Sequence, residues 1–252
     1  MDRLAFNAAA AINEQRISRQ VTTNELANVN TTGFKRSYET ALQTMKATGT
    51  GMETRYQPKA TSSDLIQLTP GITMVTGNPL DVALNNATVL GVQGTNGQQA
   101  FTRRGDLNVS TSGVLQTAGG HPVLGQNGRP ITVPPGFNLS INADGSLYAS
   151  DPQAAAATPA TLVDRLQLRD ASKTQLVRRS DGLFQPEAGS GDITNGVDIP
   201  SLTPMALEGS NVSPIGAMVR LMDQTRSFEQ QVKTIEESKN TDESGASMMK
   251  LT

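Results

Sequence analysis

The chain has 252 residues, a net charge of −2, 36% apolar and only 4% aromatic residues, a single histidine, and neither cysteine nor tryptophan. That balance excludes a basic nucleic-acid footprint, and the missing thiols exclude disulfides, thiolate metal sites and cysteine nucleophiles. The 23 glycines and 13 prolines suit a turn-rich β protein more than a disordered one.

Residues 2–29 contain no proline or glycine and are rich in Ala, Gln, Arg, Glu and Leu, which predicts a helix with Asp2 as its N-cap. Leu4, Ala8, Ala11 and Ile12 share one face, and Ile17 and Val21 continue on a shifted one. So narrow a stripe buries little alone and calls for a partner helix. The run 8–12 is short, mostly small, and followed by Glu14, Arg16 and Arg19, so no secretory signal is expected. Nowhere does the chain approach the roughly 18–20 apolar residues needed to span a bilayer. Asn28, Asn30, Thr31, Thr32 and Gly33 supply cap and turn residues that end the helix.

Residues 37–76 read as an extended connector, rich in Thr, Ser and Gln and broken by Gly49, Gly51 and Pro58. From 77 the pattern changes to short β-branched or alternating runs, with candidate strands at 80–84, 88–92, 99–103, 107–110, 114–116, 131–133, 139–142, 146–149 and 162–169. Asn96-Gly97, Ser112-Gly113, Asn127-Gly128, Asp144-Gly145 and Asp181-Gly182 offer the turn residues that hairpins need. Runs this short and even predict an antiparallel barrel or sandwich. Residues 151–160 form a low-complexity loop, and 185–204 a Gly/Pro-rich return.

A second helix is predicted over 213–239, capped by Ser213 with Pro214 at its first position. Met218, Leu221, Thr225, Phe228, Val232, Ile235 and Lys239 follow a 3-4 spacing like the seam of a coiled coil. The fold class is therefore α+β: paired, coiled-coil-like N- and C-terminal helices flanking a central antiparallel β domain of barrel or sandwich type. The corresponding divisions are 1–36 with 205–252 as a terminal-helix assembly domain, 37–76 as connector and 77–204 as β domain.

Little in the chain is poised to react, so no catalytic residue, cofactor or metal is expected. His121 lies between Gly120 and Pro122 in a turn-like setting. No phosphate-binding glycine loop is present, and Asp144-Gly145 and Asp181-Gly182 lack the alternating ligands of a calcium loop. Asp81, Asp106 and Asp164 are the few carboxylates on candidate strands, with almost no aromatics beside them to stack a sugar. A secreted glycan-active or glycan-binding β domain remains the alternative from another class.

Three strings carry a resemblance. Asn24-Glu25-Leu26-Ala27-Asn28-Val29-Asn30-Thr31-Thr32-Gly33-Phe34-Lys35 is similar to the N-terminal signature of bacterial flagellar rod and hook proteins, with Glu25 in place of an asparagine. Leu80-Asp81-Val82-Ala83-Leu84, then Phe101-Thr102-Arg103-Arg104-Gly105 and Gly113-Val114-Leu115, resembles that family's central core. Leu207-Glu208-Gly209-Ser210-Asn211-Val212 resembles the string before its terminal helix. Gly120-His121-Pro122-Val123-Leu124-Gly125 and the length are most similar to the proximal-rod branch, and distal-rod or hook subunits are the alternative. Where hook-type members have a bulky aromatic strand, this chain has Asn85-Asn86-Ala87-Thr88-Val89-Leu90.

The resemblance implies a structural subunit of the flagellar basal-body rod, exported unfolded through the flagellar type III apparatus to the periplasm. Its expected partners are copies of itself and other rod subunits, with no nucleic acid and no membrane insertion. Its terminal helices would form the inner tube of a helical assembly that transmits torque, and it would not be an enzyme. The residues expected at subunit contacts are Leu4, Ala8, Ala11 and Leu26 on the first helix, and Met218, Leu221, Phe228, Val232 and Ile235 on the last. Asn28, Asn30, Gly33, Phe34, Asp81, Arg103, Gly105 and Asn211 are the motif residues expected to set the junctions between helices and β domain.

Overall fold

The computed structural model describes residues 2–37, 41–46, 56–61, 65–153, 159–187, 189, 191–193 and 196–249, with backbone alone at 2–5, 41–46 and 56–61. Helix α1 spans Asp2–Ala27, followed by β1 (Ala41–Lys46), β2 (Tyr56–Thr61), β3 (Thr73–Val75), β4 (Val82–Leu84), β5 (Thr88–Gln93) and β6 (Gln99–Thr102). Then come β7 (Leu107–Val109), β8 (Leu115–Thr117), β9 (Asn138–Ile141), β10 (Ser146–Ser150), β11 (Thr161–Arg165) and β12 (Leu168–Asp170). The chain closes with β13 (Leu176–Arg178), β14 (Phe184–Pro186), β15 (Leu202–Pro204), β16 (Ala206–Glu208) and helix α2 (Pro214–Met249).

Two compact units result. The helical unit comprises Met1–Ala27, Glu39–Ser63 and Ser213–Thr252, and the β unit comprises Asn28–Tyr38 and Asp64–Val212. No helix among the described residues is long and apolar enough to cross a membrane.

The β unit is antiparallel throughout its named strands, built around a five-stranded sheet in the order β12-β5-β6-β14-β13 and a three-stranded sheet in the order β11-β10-β9. Alternation along β5 explains why this sheet sits at the centre. Leu90 and Val92 join one core cluster with Leu115, Val123, Ile131, Leu147 and Leu166. Val89 joins a second with Ile66, Phe101, Leu176 and Phe184, as side chains of opposite parity on a strand must. Both faces of β5 are buried.

The barrel expectation is not met, because the described sheets are open, ending at β12 and β13 or at β9 and β11. Closure needs every strand hydrogen-bonded on both sides, and strands of mostly three to six residues, interrupted by turns, do not wrap that far. Five further corrections follow. The connector 37–76 holds the antiparallel pair β1–β2, running from Ala41↔Thr61 to Lys46↔Tyr56, and also β3. The single strand expected over 162–169 is split into β11 and β12, and residues 131–133 form only an isolated bridge, Val114↔Thr132. The return segment 185–204 contributes to β14 and β15. Helix α2 runs ten residues beyond its expected end, to Met249. The expected turns do hold, with Gly97, Gly113, Gly128, Gly145 and Gly182 all at φ between 69° and 82°.

Candidate assembly site

In the helical unit the two helices run antiparallel. The Gln15 amide donates to Ser227 Oγ, Gln224 Nε2 donates to Ser18 Oγ at 3.0 Å and to Thr22 Oγ1 at 3.2 Å, and Arg220 pairs with Glu25 at 2.9 Å. Glu25, the one departure in the N-terminal signature, thus gains a cation from the other helix. Arg19 lies 5.5 Å from the ring centroid of Phe228. Ser213 caps α2 as expected, its Oγ accepting from Gly216 N at 3.2 Å.

Apart from the Arg19–Phe228 contact, the hydrogen bonds and ion pair between the helices fall one position before the expected apolar seam. Arg220, Gln224 and Ser227 make them, and Ala217 and Ser238, at the same 3-4 spacing, are buried. On α1 the matching positions are Gln15, Ser18, Thr22 and Glu25. The seam is therefore small and polar. It leaves the Oε1 atoms of Gln15, Gln224 and Gln231 buried without a hydrogen-bond partner among the described residues.

Of the residues expected at contacts, Ala8 is buried, Ala11, Leu26, Leu221, Val232 and Ile235 are half-buried, and Met218 and Phe228 are exposed. The side chain of Leu4 lies outside the described residues. Ile215, Met218, Val219 and Met222 together make an exposed apolar row on α2, spaced as one helix face. Each hydrogen bond across the polar seam nets about 0.5–1.5 kcal/mol, whereas fully burying one such apolar side chain gains about 1.5–3 kcal/mol. The larger unused reservoir of binding energy is thus the outer row.

The β unit brings the three sequence strings to one place. Lys35, Arg103 and Glu208, one from each string, have side chains that are 0%, 0% and 2% exposed. Lys35 Nζ donates to Glu208 Oε1 at 2.7 Å and to Thr69 O at 2.9 Å, and Gly71 N also donates to Oε1 at 3.0 Å. Arg103 Nε donates to Glu208 Oε2 at 2.8 Å, and its terminal nitrogens reach the carbonyls of Leu84, Asn86 and Thr88. Two cations thus share one carboxylate whose oxygens are both fully engaged.

Asn211 ties the flanking segments. Its Oδ1 accepts from Arg36 N at 2.7 Å, its Nδ2 donates to Gln67 O at 2.9 Å, and its own N donates to Phe34 O at 3.3 Å. Gly33 N donates to Glu208 O at 2.7 Å. Phe34 stacks on Arg178, whose guanidinium lies 4.5 Å from the ring centroid and donates to Lys35 O. Residues 33–36 and 208–211 therefore run side by side. Asp81, at the second string, accepts from Thr76 Oγ1 at 2.6 Å and Asn78 Nδ2 at 2.9 Å, closing the turn into β4. Asn28 accepts from Thr31 at the end of α1, and Asn30 is exposed there.

The motif glycines are needed for close approach. A Cβ on Gly33 would lie 2.4 Å from Arg103 O, at a φ of 67°, and one on Gly105 would lie 1.8 Å from Val82 O. Gly33→Ala is expected to destabilise the β unit by about 2–4 kcal/mol, from strained φ plus backbone overlap. Chemical denaturation of the full chain checks this.

Burial, with the Arg103 guanidinium nearby, outweighs the Glu208 carboxylate and lowers the Lys35 amine to about 8 from its ordinary 10.5. Below pH 8 both folded and unfolded chains hold this proton. Between about 8 and 10.5 the folded chain releases it while the unfolded chain keeps it, so stability rises across that window, by up to about 3 kcal/mol. Lys35→Met should flatten the rise, as read from urea midpoints measured against pH.

Sequence reasoning placed Arg103, Gly33 and Asn211 at the junction but passed over Lys35 and Glu208 as site residues, although both stand inside the matched strings. The available signal was a charge at an inward strand position: Glu208 ends the short strand β16, whose burial alternates.

Comparison with known proteins gives a consistent result. Residues 204–248 match the family model described as "Flagellar basal body rod FlgEFG protein C-terminal", and residues 83–149 match "Flagellar hook protein FlgE/F/G D1 domain". The chain is 38% identical over 239 residues to the flagellar basal-body rod protein FlgF of Salmonella typhimurium, covering 93% of each chain. Identity to FlgF of Escherichia coli is also 38%, over 240 residues and 93% of each. The flagellar basal-body rod protein FlgG of Buchnera aphidicola is 28% identical over 249 residues, covering 90% of this chain and 92% of its own.

Proposed function

Because the chain belongs to the family of flagellar basal-body rod proteins, we propose that it is a structural subunit of the rod, of the FlgF kind, in the periplasmic part of the basal body. It polymerises into a helical tube that transmits torque and carries out no chemistry. The observation that carries the assembly reading is the apolar row Ile215, Met218, Val219 and Met222, left exposed while a polar seam joins α2 to α1. In the tube this row meets terminal helices of neighbouring subunits, and the helix pair works as a coiled-coil-like element between them. The identity of 38% over 93% of each chain to FlgF of Salmonella typhimurium and of Escherichia coli supports the proximal over the distal rod.

The same reading gives the helical unit, 1–27 with 39–63 and 213–252, the role of assembly, and the β unit, 28–38 with 64–212, that of an outer domain. Copies of the chain, other rod subunits and the flagellar type III export apparatus are its partners. A cysteine-free chain suits passage in an unfolded state, with folding afterwards and no disulfide to mispair.

Detergent-purified basal bodies should contain the chain, and cells lacking it should not swim. Complete rods without the chain, in cells that produce it, would sink the reading.

A further inference from the structure

Strand β3 has a free edge. Gly209 N donates to Ile72 O at 2.8 Å and Thr76 N to Met205 O at 2.9 Å, which sets hydrogen-bonded pairs with β16 at 72/209, 74/207 and 76/205. The main-chain groups of Thr73 and Val75 therefore point the other way, where no described strand pairs with β3. Around that edge Ile72 is 78% and Val75 85% exposed, and Met74 and Met205 are exposed as well. Met205 holds a φ of 55°, a conformation rare for a bulky side chain, pinned by Thr76 N and Gly77 N both donating to its carbonyl. Native proteins usually blunt or cover such an edge. This one is lined with apolar side chains.

A second apolar patch lies at the other end of the same run of chain. Val197 is 75% and Ile199 89% exposed. Gly196 N donates to Asp170 O at 3.2 Å and Asp198 N to Asp170 Oδ2 at 3.0 Å. Those alternate amides anchor the segment and leave Val197 and Ile199 projecting outward. Between the two patches, β15 pairs with β4 from Leu202↔Leu84 to Pro204↔Val82. One patch precedes this ribbon and the other follows it.

We infer that residues 197–199 of one copy dock on the free β3 edge of the next copy, burying Val197 and Ile199 against the exposed side chain of Val75. This contact rests on the rod-subunit reading and supplies a β-unit contact beside that of the helices. Hydrogen bonds to the outward main-chain groups of Thr73 and Val75, together with burial of the apolar side chains, hold the segment there. Two different patches, one at each end of a ribbon, make a head-to-tail contact that repeats into an open helix rather than closing as a dimer. The few side chains involved fall well short of the roughly 800 Å² per partner buried in a stable pair. The contact therefore cannot join two free copies, and it acts only beside other contacts in a polymer. That limit favours a second copy over an independent soluble partner.

The absence of cysteine makes the test clean. Full chains carrying Val75→Cys and Ile199→Cys are co-expressed in cells lacking the native chain, and their basal bodies are purified and oxidised. A disulfide-linked dimer that appears only with both variants present supports the contact. Basal bodies that contain both variants but give no dimer overturn it, as does a dimer from either variant alone. If even the unsubstituted chain is missing from basal bodies, the rod reading falls and takes this contact with it. Val75→Asp serves as a second variant, expected to leave unfolding of the free chain unchanged and to abolish swimming. Normal swimming by that variant overturns the inference.

Discussion

Glu208→Ala is expected to remove a large share of the stability of the β unit. The substitution leaves the buried cations Lys35 and Arg103, at 2.7 and 2.6 Å from the carboxylate in the intact chain, without their anion. Removing one partner of a buried ion pair costs about 3–5 kcal/mol, a large share of the roughly 5–15 kcal/mol by which a typical domain is stable. The exposed pair Arg165–Asp144, at 3.1 Å, provides the contrast, since Asp144→Ala should cost no more than about 1 kcal/mol. Joint replacement Lys35→Met and Glu208→Gln should recover part of the loss, because one uncompensated charge is gone. Urea denaturation of the four chains decides it, and equal midpoints for Glu208→Ala and Asp144→Ala would show that the cluster does not hold the unit together.

Deletion of residues 214–249 should separate folding from assembly. The β unit keeps both core clusters and the Lys35–Arg103–Glu208 cluster, all of which lie outside the deleted segment. Its unfolding free energy should change by no more than is typical of surface substitutions, about ±0.5 kcal/mol. Incorporation into basal bodies and swimming should both be lost, since the outer row of α2 goes with the deletion. A truncated chain that still builds a rod would place the assembly contacts elsewhere.

Elements with strong local signals were legible in the sequence. The proline-free helical stretch, the Ser213-Pro214 start and the Asx-Gly turns depend on nearest neighbours, and they appear in the structure where expected. The 3-4 spacing on α2 was legible too, but not which of two adjacent rows faces α1. Apolar periodicity points to the row with most to bury, and here the partner helix offers Gln, Ser, Thr and Glu instead, so a polar row one position earlier takes that side. Strands β3, β13, β14, β15 and β16 were missed because such short runs offer little readable alternation; long-range pairings such as Leu202↔Leu84 hold three of them in place.

The motif strings were recognisable one by one, yet their convergence was not. Lys35 and Glu208 are separated by 173 positions, and no local pattern says that a lysine and a glutamate so far apart will be buried together. What the structure adds is a reason for their joint presence. Lys35 and Arg103 each need the carboxylate of Glu208, Gly33 and Gly105 let backbone approach backbone, and Asn211 fastens residues 34–36 beside the segment that enters α2.

A density map of intact basal bodies, with side chains resolved in the rod, tests the assembly reading most directly. Met218, Val219 and Met222 of this chain should lie buried against terminal helices of neighbouring subunits, with Gln224 and Ser227 still turned to the chain's own α1. A rod in which the outer row faces open solvent, or pairs with the chain's own α1, would contradict it.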